Sequence, residues 1–306
     1  LIDKAQAAGA DCVKFQMRHL DQVYRHRSLK KNGEDLGTEY VIDLLNRFEL
    51  SVEEHHKLSD YCLKINMLYL CTPWDAVSAD TLESFAVPAY KVASADLTNL
   101  PLIQRLIETK KPLILSTGMN TADEVEVTVN FLKKRAAKFV LLHCNSTYPA
   151  PLHDINLKWM ATLRRLHPLI GYSGHERGIN ISLAATALDA CIIERHLTLD
   201  REMEGPDHAA SLLPAEFANM VTGIREIELA KGLGERRQLS QGEMINRENL
   251  GKSLVAALPL ARGTIVMSQH VKVRSPGQGL SPQKYEALLG RTVHRDIEDE
   301  GFFFPS

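Results

Sequence analysis

Short apolar runs rich in Val, Ile and Leu recur along this chain, and each is followed by a stretch with apolar residues at three- and four-residue spacing. This alternation is the signature of parallel βα units, since parallel strands need a crossover and the crossover helices cover the sheet. The runs are CVKFQ (12–16), MLYLCTP (67–73), AYKVASAD (89–96), PLILSTGM (112–119), FVLLHCNSTYP (139–149), LIGYSGH (169–175) and ACIIERHLTL (190–199). Helical patterns such as SVEEHHKLSDYCLKI and TADEVEVTVNFLKKRA lie between them, and PAEFANMVTGIREIELAKGLG closes the series at Gly232 and Gly234. The chain opens inside a helical pattern, LIDKAQAAGAD, without a Met, so something is expected to precede it. Seven strands plus one first strand absent from this chain make eight, the count of a TIM (β/α)8 barrel, which is the α/β fold expected here. An open doubly wound sheet is the alternative; it needs a reversal of strand order, and no GxGxxG turn supports a dinucleotide site.

From about residue 236 the pattern changes, because ERRQLSQGEMINREN is polar and shows no helical stripe. The expected organisation is a barrel over 1–235, a linker over 236–247 and a compact module over 248–306 with short strands, one short helix and turn glycines at Gly263, Gly277, Gly279 and Gly290.

With 306 residues and 44% hydrophobic content the chain can bury one large core and a small second one. Lys and Arg total 36 against 38 for Asp and Glu, and neither sign forms a long block, which argues against nucleic acid or an anionic membrane as partner. An anionic ligand must then be caught by a few placed cations. The 5 cysteines are scattered and mostly sit inside apolar runs, so they read as buried small hydrophobes of a reducing cytosol. No apolar stretch long enough to span a membrane and no signal peptide is visible, and a cytoplasmic location is expected.

In a parallel barrel the active site forms at the C-terminal ends of the strands. Those ends carry Lys14 and Gln16, Thr72, Lys91 with Ser94 and Asp96, Ser116 and Thr117, Asn145 with Ser146 and Tyr148, Ser173 with His175, and Glu194 with His196. Lys14 and Lys91 stand in otherwise apolar strands, where an unpaired ammonium is costly to bury. Either each pairs with a barrel carboxylate, or the two join Ser94, Ser116, Thr117 and Ser173 in a pocket for a small phosphorylated carboxylate that supplies the counter-charge.

His175 and His196 end neighbouring strands, where both imidazoles can meet one metal ion or serve one proton transfer. Singly, each would be a structural hydrogen-bonding residue. His143 reads as a packed strand residue, and His55 and His56 as solvated residues of an exposed helix. GPDHAAS (205–211) presents Asp207 and His208 on a loop over the barrel mouth, or is an ordinary turn. No nucleophile elbow, CxxC pair or Walker loop is present, so hydrolase, redox and nucleotide-triphosphatase readings have no support.

Taken in order, GADCVKFQ, YKVASAD, LILSTGM, LLHCNSTYP, IGYSGHERG, IIERHLTLD and GPDHAASL resemble the sialic acid synthase family over essentially the whole chain. LGKSLVAALPLARGTIV with VKVRSPGQGLSP resembles that family's C-terminal antifreeze-like (SAF) domain. The resemblance implies condensation of phosphoenolpyruvate with an open-chain N-acylmannosamine or related amino sugar to a nine-carbon 2-keto sugar acid and phosphate. It implies phosphoenolpyruvate contacts from Lys14, Thr72, Lys91, Ser94, Ser116, Ser146 and Ser173, and sugar contacts from Gln16, Asp96, Tyr148 and Asp207. It also implies a divalent ion on His175 and His196, Mn²⁺ first with Mg²⁺ or Co²⁺ as alternatives, since no cysteine is expected to end a strand beside them. Many relatives carry Glu where Asp96 stands and Asn where Ser146 stands. A catalytic Glu and an Asn-His pair of the family's first strand have no counterpart in this sequence. The family further implies a domain-swapped homodimer, with Arg274 of the small domain reaching a partner's site. Two other functions stay open: a pyruvate-type aldolase with a Schiff base on Lys91 or Lys14, and a non-catalytic barrel that binds sugar acids.

Overall fold

A computed structural model of the protein describes residues 1–24, 36–85, 87–232, 234 and 237–304. The chain forms two compact units, Leu1–Gly232 and Leu233–Ser306. The domain boundary expected at 235 and 236 falls outside the described residues.

All seven expected strands of the first unit are present: β1 (Cys12–Met17), β2 (Leu68–Pro73), β3 (Tyr90–Val92), β4 (Leu113–Ser116), β5 (Phe139–Cys144), β6 (Ile170–Gly174) and β7 (Ile193–Arg195). Every ladder between them is parallel: β1 pairs with β2, and β3 to β7 pair in chain order. β2 and β3 are neighbours without a ladder. Strand order never reverses, which removes the doubly wound alternative and leaves the TIM-barrel fold. Among the described residues β1 and β7 each keep one edge without a ladder partner. A cavity of about 250 Å³ lies along those edges, lined by Val13, Phe15, Ile193 and Arg195 of the strands and by Phe217.

The core forms because strands covered by helices can be apolar on both faces. Leu113 and Leu115 of β4, Leu141 of β5 and Tyr172 of β6 are buried together with Ile103, Leu106, Leu132 and Leu163 from the surrounding helices. Those helices start where the sequence supplies caps: Ser51 with Glu54, and Thr121 with Glu124, form reciprocal capping boxes, each cap worth about 1 kcal/mol. The helix Val52–Lys64 corrects one expectation, since His55 is fully buried. Its Nδ1 lies 2.8 Å from the Tyr69 hydroxyl, and its ring meets Phe15 edge-on. His56 is exposed, as expected, and stacks on Phe85.

In the second unit β8 (Ser253–Ala256) and β9 (Val271–Arg274) pair antiparallel. Bridges of Val255 with Phe302, Leu260 with Ile297 and Ile265 with Thr292 extend the β structure around a core of Leu254, Leu260, Val266, Val293 and Phe303. The short helix is Tyr285–Leu288. Where a linker was expected over 236–247, a helix spans Gln241–Leu250 instead, opened by a capping box of Ser240 and Glu243. None of its described residues is buried, which is why no apolar stripe announces it.

Candidate active site

Strand alternation decides which side chains enter the barrel mouth. On β1, Lys14 and Gln16 point one way with Arg18 next in the same phase; on β6 and β7 the register sets Ser173 opposite Glu194. The result is one cavity of about 360 Å³ at the strand ends. Lys14, Lys91, Thr72, Ser94, Ser116 and Ser173 line it together. So do Gln16, Ser146, Tyr148, Asp207 and both histidines, His175 and His196.

Two expected positions differ. Asp96 does not line the cavity: β3 ends at Val92, and the turn Ser94–Asp96 swings the carboxylate to the Asn99 amide, which donates to it at 2.9 Å. Its other oxygen is buried without a hydrogen-bond partner, and burial raises its pKa. Thr117 is likewise spent on structure, donating to the Leu142 carbonyl at 3.0 Å. Arg274 ends β9 in the second unit, exposed, with its Nε 3.6 Å from Glu300.

The cavity holds a deliberate imbalance of charge. Lys91 Nζ donates to Ser116 Oγ at 2.7 Å and to the Val92 carbonyl at 2.9 Å, and it stands 3.9 Å from Glu194 Oε1. The carboxylate partner imagined for the lysines therefore exists, and it lies in the same cavity. Burial lowers the pKa of Lys91, and Glu194 counters that while Lys14 adds to it. Burial alone would raise Glu194, but Lys14, Lys91 and His196 pull it down to about 2, helped by the Ser173 hydroxyl at 3.0 Å. Around Glu194 two lysines stand against one carboxylate, a local excess of positive charge that suits an anion, while the cavity's other carboxylate, Asp207, lies on the His196 side, 3.9 Å from its Nδ1.

Beside that charge the rings of His175 and His196 face each other, with centroids 5.3 Å apart. Tyr148 packs on both, 4.1 Å from the first and 6.0 Å from the second. Burial presses His196 down to about 4, against the pull of Asp207, so this imidazole is neutral near pH 7. His175 Nδ1 lies 2.7 Å from the Asn145 carbonyl, which can only accept. Nδ1 therefore carries a hydrogen, and in the neutral ring Nε2 keeps the lone pair.

This donor set fits a weakly held divalent ion: two imidazoles, one fixed by a backbone carbonyl behind it, with room for water or substrate oxygen. Among the described residues no group of three or more His, Cys, Asp or Glu is arranged around a metal, so the protein's share of any coordination shell stays small. One premise needs correction, since a cysteine does end a strand here. Cys144 closes β5 with its Sγ 3.7 Å from His175 Nδ1 and 3.6 Å from Ser94 Oγ. Burial raises the thiol, but the His175 contact, Ser94 and Lys91 outweigh it and leave its pKa lowered. The sulfur meets the ring on the nitrogen that the Asn145 carbonyl already uses, so it does not extend the ligand set.

Arg18, Trp74 and Cys144 line the same cavity and were not among the expected contacts. The Gln16 side-chain oxygen Oε1 accepts from Arg18 Nη2 at 2.6 Å and from Trp74 Nε1 at 2.9 Å, and the guanidinium sits 4.8 Å over the Trp74 ring. Period two from Lys14 through Gln16 was the available signal for Arg18. Glu49 neutralises it at 3.3 Å, and no periodicity places that partner.

Comparison with known proteins identifies the family. The NeuB family matches residues 1–236, and the SAF domain matches residues 251–299. An N,N'-diacetyllegionaminic acid synthase of Campylobacter jejuni is 38% identical over 98% of this chain and 92% of its own length. The N-acetylneuraminate-9-phosphate synthase of Homo sapiens is 34% identical over 98% of this chain and 85% of its own. A crystal structure of N-acetylneuraminic acid (sialic acid) synthetase from Leptospira borgpetersenii, in complex with citrate, superposes with a TM-score of 0.71 at 35% identity, covering 80% of this chain and 83% of that one. With a barrel whose strand ends gather two lysines, a ring of hydroxyls and two facing imidazoles, and with a SAF domain after it, this chain belongs to the NeuB family.

Proposed function

We propose that the protein condenses phosphoenolpyruvate with an N-acylmannosamine-like amino sugar, giving a nine-carbon 2-keto sugar acid and phosphate. The observation that carries this reading is the local excess of positive charge, Lys14 and Lys91 against Glu194, beside the His175 and His196 pair in one cavity. An anion bound by the lysines is thereby held next to the place where an aldehyde would sit.

In this reading Lys91, fixed by Ser116, and Lys14 hold the carboxylate and phosphate of phosphoenolpyruvate, with Thr72, Ser94, Ser146 and Ser173 donating to the same oxygens. Gln16, Tyr148 and Asp207 orient the sugar so that its aldehyde carbon faces C3 of phosphoenolpyruvate. Carbon–carbon bond formation leaves C2 electron-poor, water adds there, and phosphate departs with cleavage of its bond to C2. Glu194, held ionised, accepts hydrogen bonds from this water or from Ser173 and counters the effect of burial on Lys91. A divalent ion on His175 and His196, Mn²⁺ before Mg²⁺ or Co²⁺, supplies Lewis acidity at the aldehyde oxygen when bound.

The relatives named above are synthases of different sugar acids, and the remote end of the sugar is where such substrates differ. The second unit is assigned, in the same reading, to a partner's cavity in a domain-swapped homodimer, with Arg274 as its contribution. A cytoplasmic setting follows from the substrates; among the described residues no helix is long and apolar enough to cross a membrane.

One observation favours a second reading: burial lowers the pKa of Lys91, which suits an amine that forms a Schiff base. Borohydride with pyruvate separates the two. Covalent trapping at Lys91 supports an aldolase, and phosphate release that needs both phosphoenolpyruvate and amino sugar supports the synthase.

A further inference from the structure

The two histidines stand one residue past the end of their shared ladder. The last register pair of β6 and β7 is Gly174 with Arg195, and His175 and His196 follow it directly. Beyond that point each segment turns to a different neighbour. The His175 carbonyl accepts from Ala150 N at 3.1 Å, whereas the His196 carbonyl accepts from Leu212 N at 2.9 Å. Backbone pairing between the strands therefore does not set the distance between the two rings.

Behind the wall, on the side away from the substrate cavity, a side-chain link replaces it. Arg195 and Glu176 form an ion pair at 2.8 Å with both side chains at 0% exposure. The same guanidinium donates to the Glu176 carbonyl, to the Gly178 carbonyl at 2.8 Å and to Ser182 Oγ at 3.0 Å, while the Tyr172 hydroxyl donates to the other Glu176 oxygen at 2.7 Å. Arg195 thus grips the whole segment that follows β6. Gly174 closes the arrangement, since a Cβ there would come within 2.7 Å of Glu176 Oε2 and 3.0 Å of Arg195 Cδ.

A buried ion pair is a poor way to gain stability, because packed apolar side chains of equal volume do as well or better. What a fork of five donors does provide is geometry. We propose that Glu176 and Arg195 are positioning residues that fix the separation and tilt of the His175 and His196 imidazoles. For its metal-affinity arm the proposal rests on the metal-assisted synthase reading above; its ring-geometry arm does not.

The test compares the full-length protein with three variants. Arg195→Lys keeps the charge and loses the fork; Glu176→Leu with Arg195→Met replaces the pair by apolar groups; Tyr172→Phe removes one hydroxyl and is the mildest. Mn²⁺ affinity, phosphoenolpyruvate affinity by calorimetry, the imidazole ¹⁵N resonances of both histidines and thermal unfolding are read for each. For the first two variants the expected result is Mn²⁺ binding weakened about tenfold, displaced ring resonances and phosphoenolpyruvate affinity within about twofold of wild type, the range typical of lost outer-shell support. Tyr172→Phe should move the same rings less. If folded variants lower the unfolding temperature yet keep both ring resonances and Mn²⁺ affinity at wild-type values, the pair is only structural and the proposal fails. If the wild type itself binds no Mn²⁺, the metal reading fails instead, and the ring resonances alone decide the role of the pair. Should either pair variant not fold, Tyr172→Phe decides, and unmoved rings in it overturn the proposal.

Discussion

The ammonium of Lys91 lies 3.9 Å from the Glu194 carboxylate, in a cavity that Lys14 also lines. Lys91 is thus partnered before substrate arrives, and the one carboxylate beside it does not neutralise two lysines. Removing Lys91 should therefore leave Lys14 and Glu194 as a matched pair that no longer attracts an anion. Lys91→Met is expected to keep the fold and weaken phosphoenolpyruvate binding by about 1.5–3 kcal/mol, the worth of one hydrogen bond to a charged group. Calorimetry checks this, and unchanged affinity takes Lys91 out of the site.

The depressed pKa of Glu194, about 2, has a consequence for acid stability. A carboxyl lowered on folding stabilises the native state fully above its unfolded value, and that stabilisation disappears as pH falls through the folded value. The window is thus from about pH 4 down to about pH 2, given an unfolded Glu near 4.3. Glu194→Gln should flatten the fall of stability in this window and leave the lysines uncompensated near neutrality. Denaturant midpoints of both proteins across the window check it. Parallel curves would mean that Glu194 titrates normally.

Chelation should abolish turnover, and added manganese or cobalt should restore it better than magnesium, because imidazole is a borderline ligand. His196→Ala should lose turnover while phosphoenolpyruvate still binds through Lys14, Lys91 and the hydroxyls, since the histidines serve the aldehyde. Full activity of the His175 and His196 single variants in the presence of a chelator would make both residues structural.

Gly174 leaves no room for a side chain: a Cβ would approach Tyr172 Cε1 to 2.6 Å as well as the Glu176 and Arg195 atoms. Gly174→Ala is expected to destabilise the protein by about 1–3 kcal/mol through overpacking. Thermal and denaturant unfolding measure this. A stability equal to wild type would show that Tyr172 gives way at no cost.

Much of this was legible in the sequence, for identifiable reasons. Parallel strands covered on both sides read as unbroken apolar runs, so β1 to β7 stood out, and the C-terminal-end rule then picked Lys14, Lys91, Ser116, Ser173, His175 and His196. Asp96 was misplaced because AYKVASAD reads as one long strand, while β3 stops at Val92 and a turn begins at Ser94. His55 falls three residues after Val52 and seven before Cys62, on the buried stripe of its helix, a helical spacing that the polar letters around it obscured. Cys144 reads as a small hydrophobe until its neighbours are known, and the Glu49 partner of Arg18 and the Glu176 link to Arg195 are long-range contacts that no local pattern encodes. The helix Gln241–Leu250 did carry a signal, Ser240 followed at three residues by Glu243, without the apolar periodicity that draws attention.

The central claim is a phosphate-releasing condensation, and its most direct test is to incubate the full-length protein with Mn²⁺, phosphoenolpyruvate and a panel of N-acylmannosamine-type sugars, and to quantify inorganic phosphate together with the sugar acid. The account predicts phosphate and 2-keto acid in equal amounts, only when phosphoenolpyruvate and an accepted sugar are both present, and loss of both products in His196→Ala. Phosphate released without any sugar, or no phosphate with any member of the panel while phosphoenolpyruvate is bound, would contradict it.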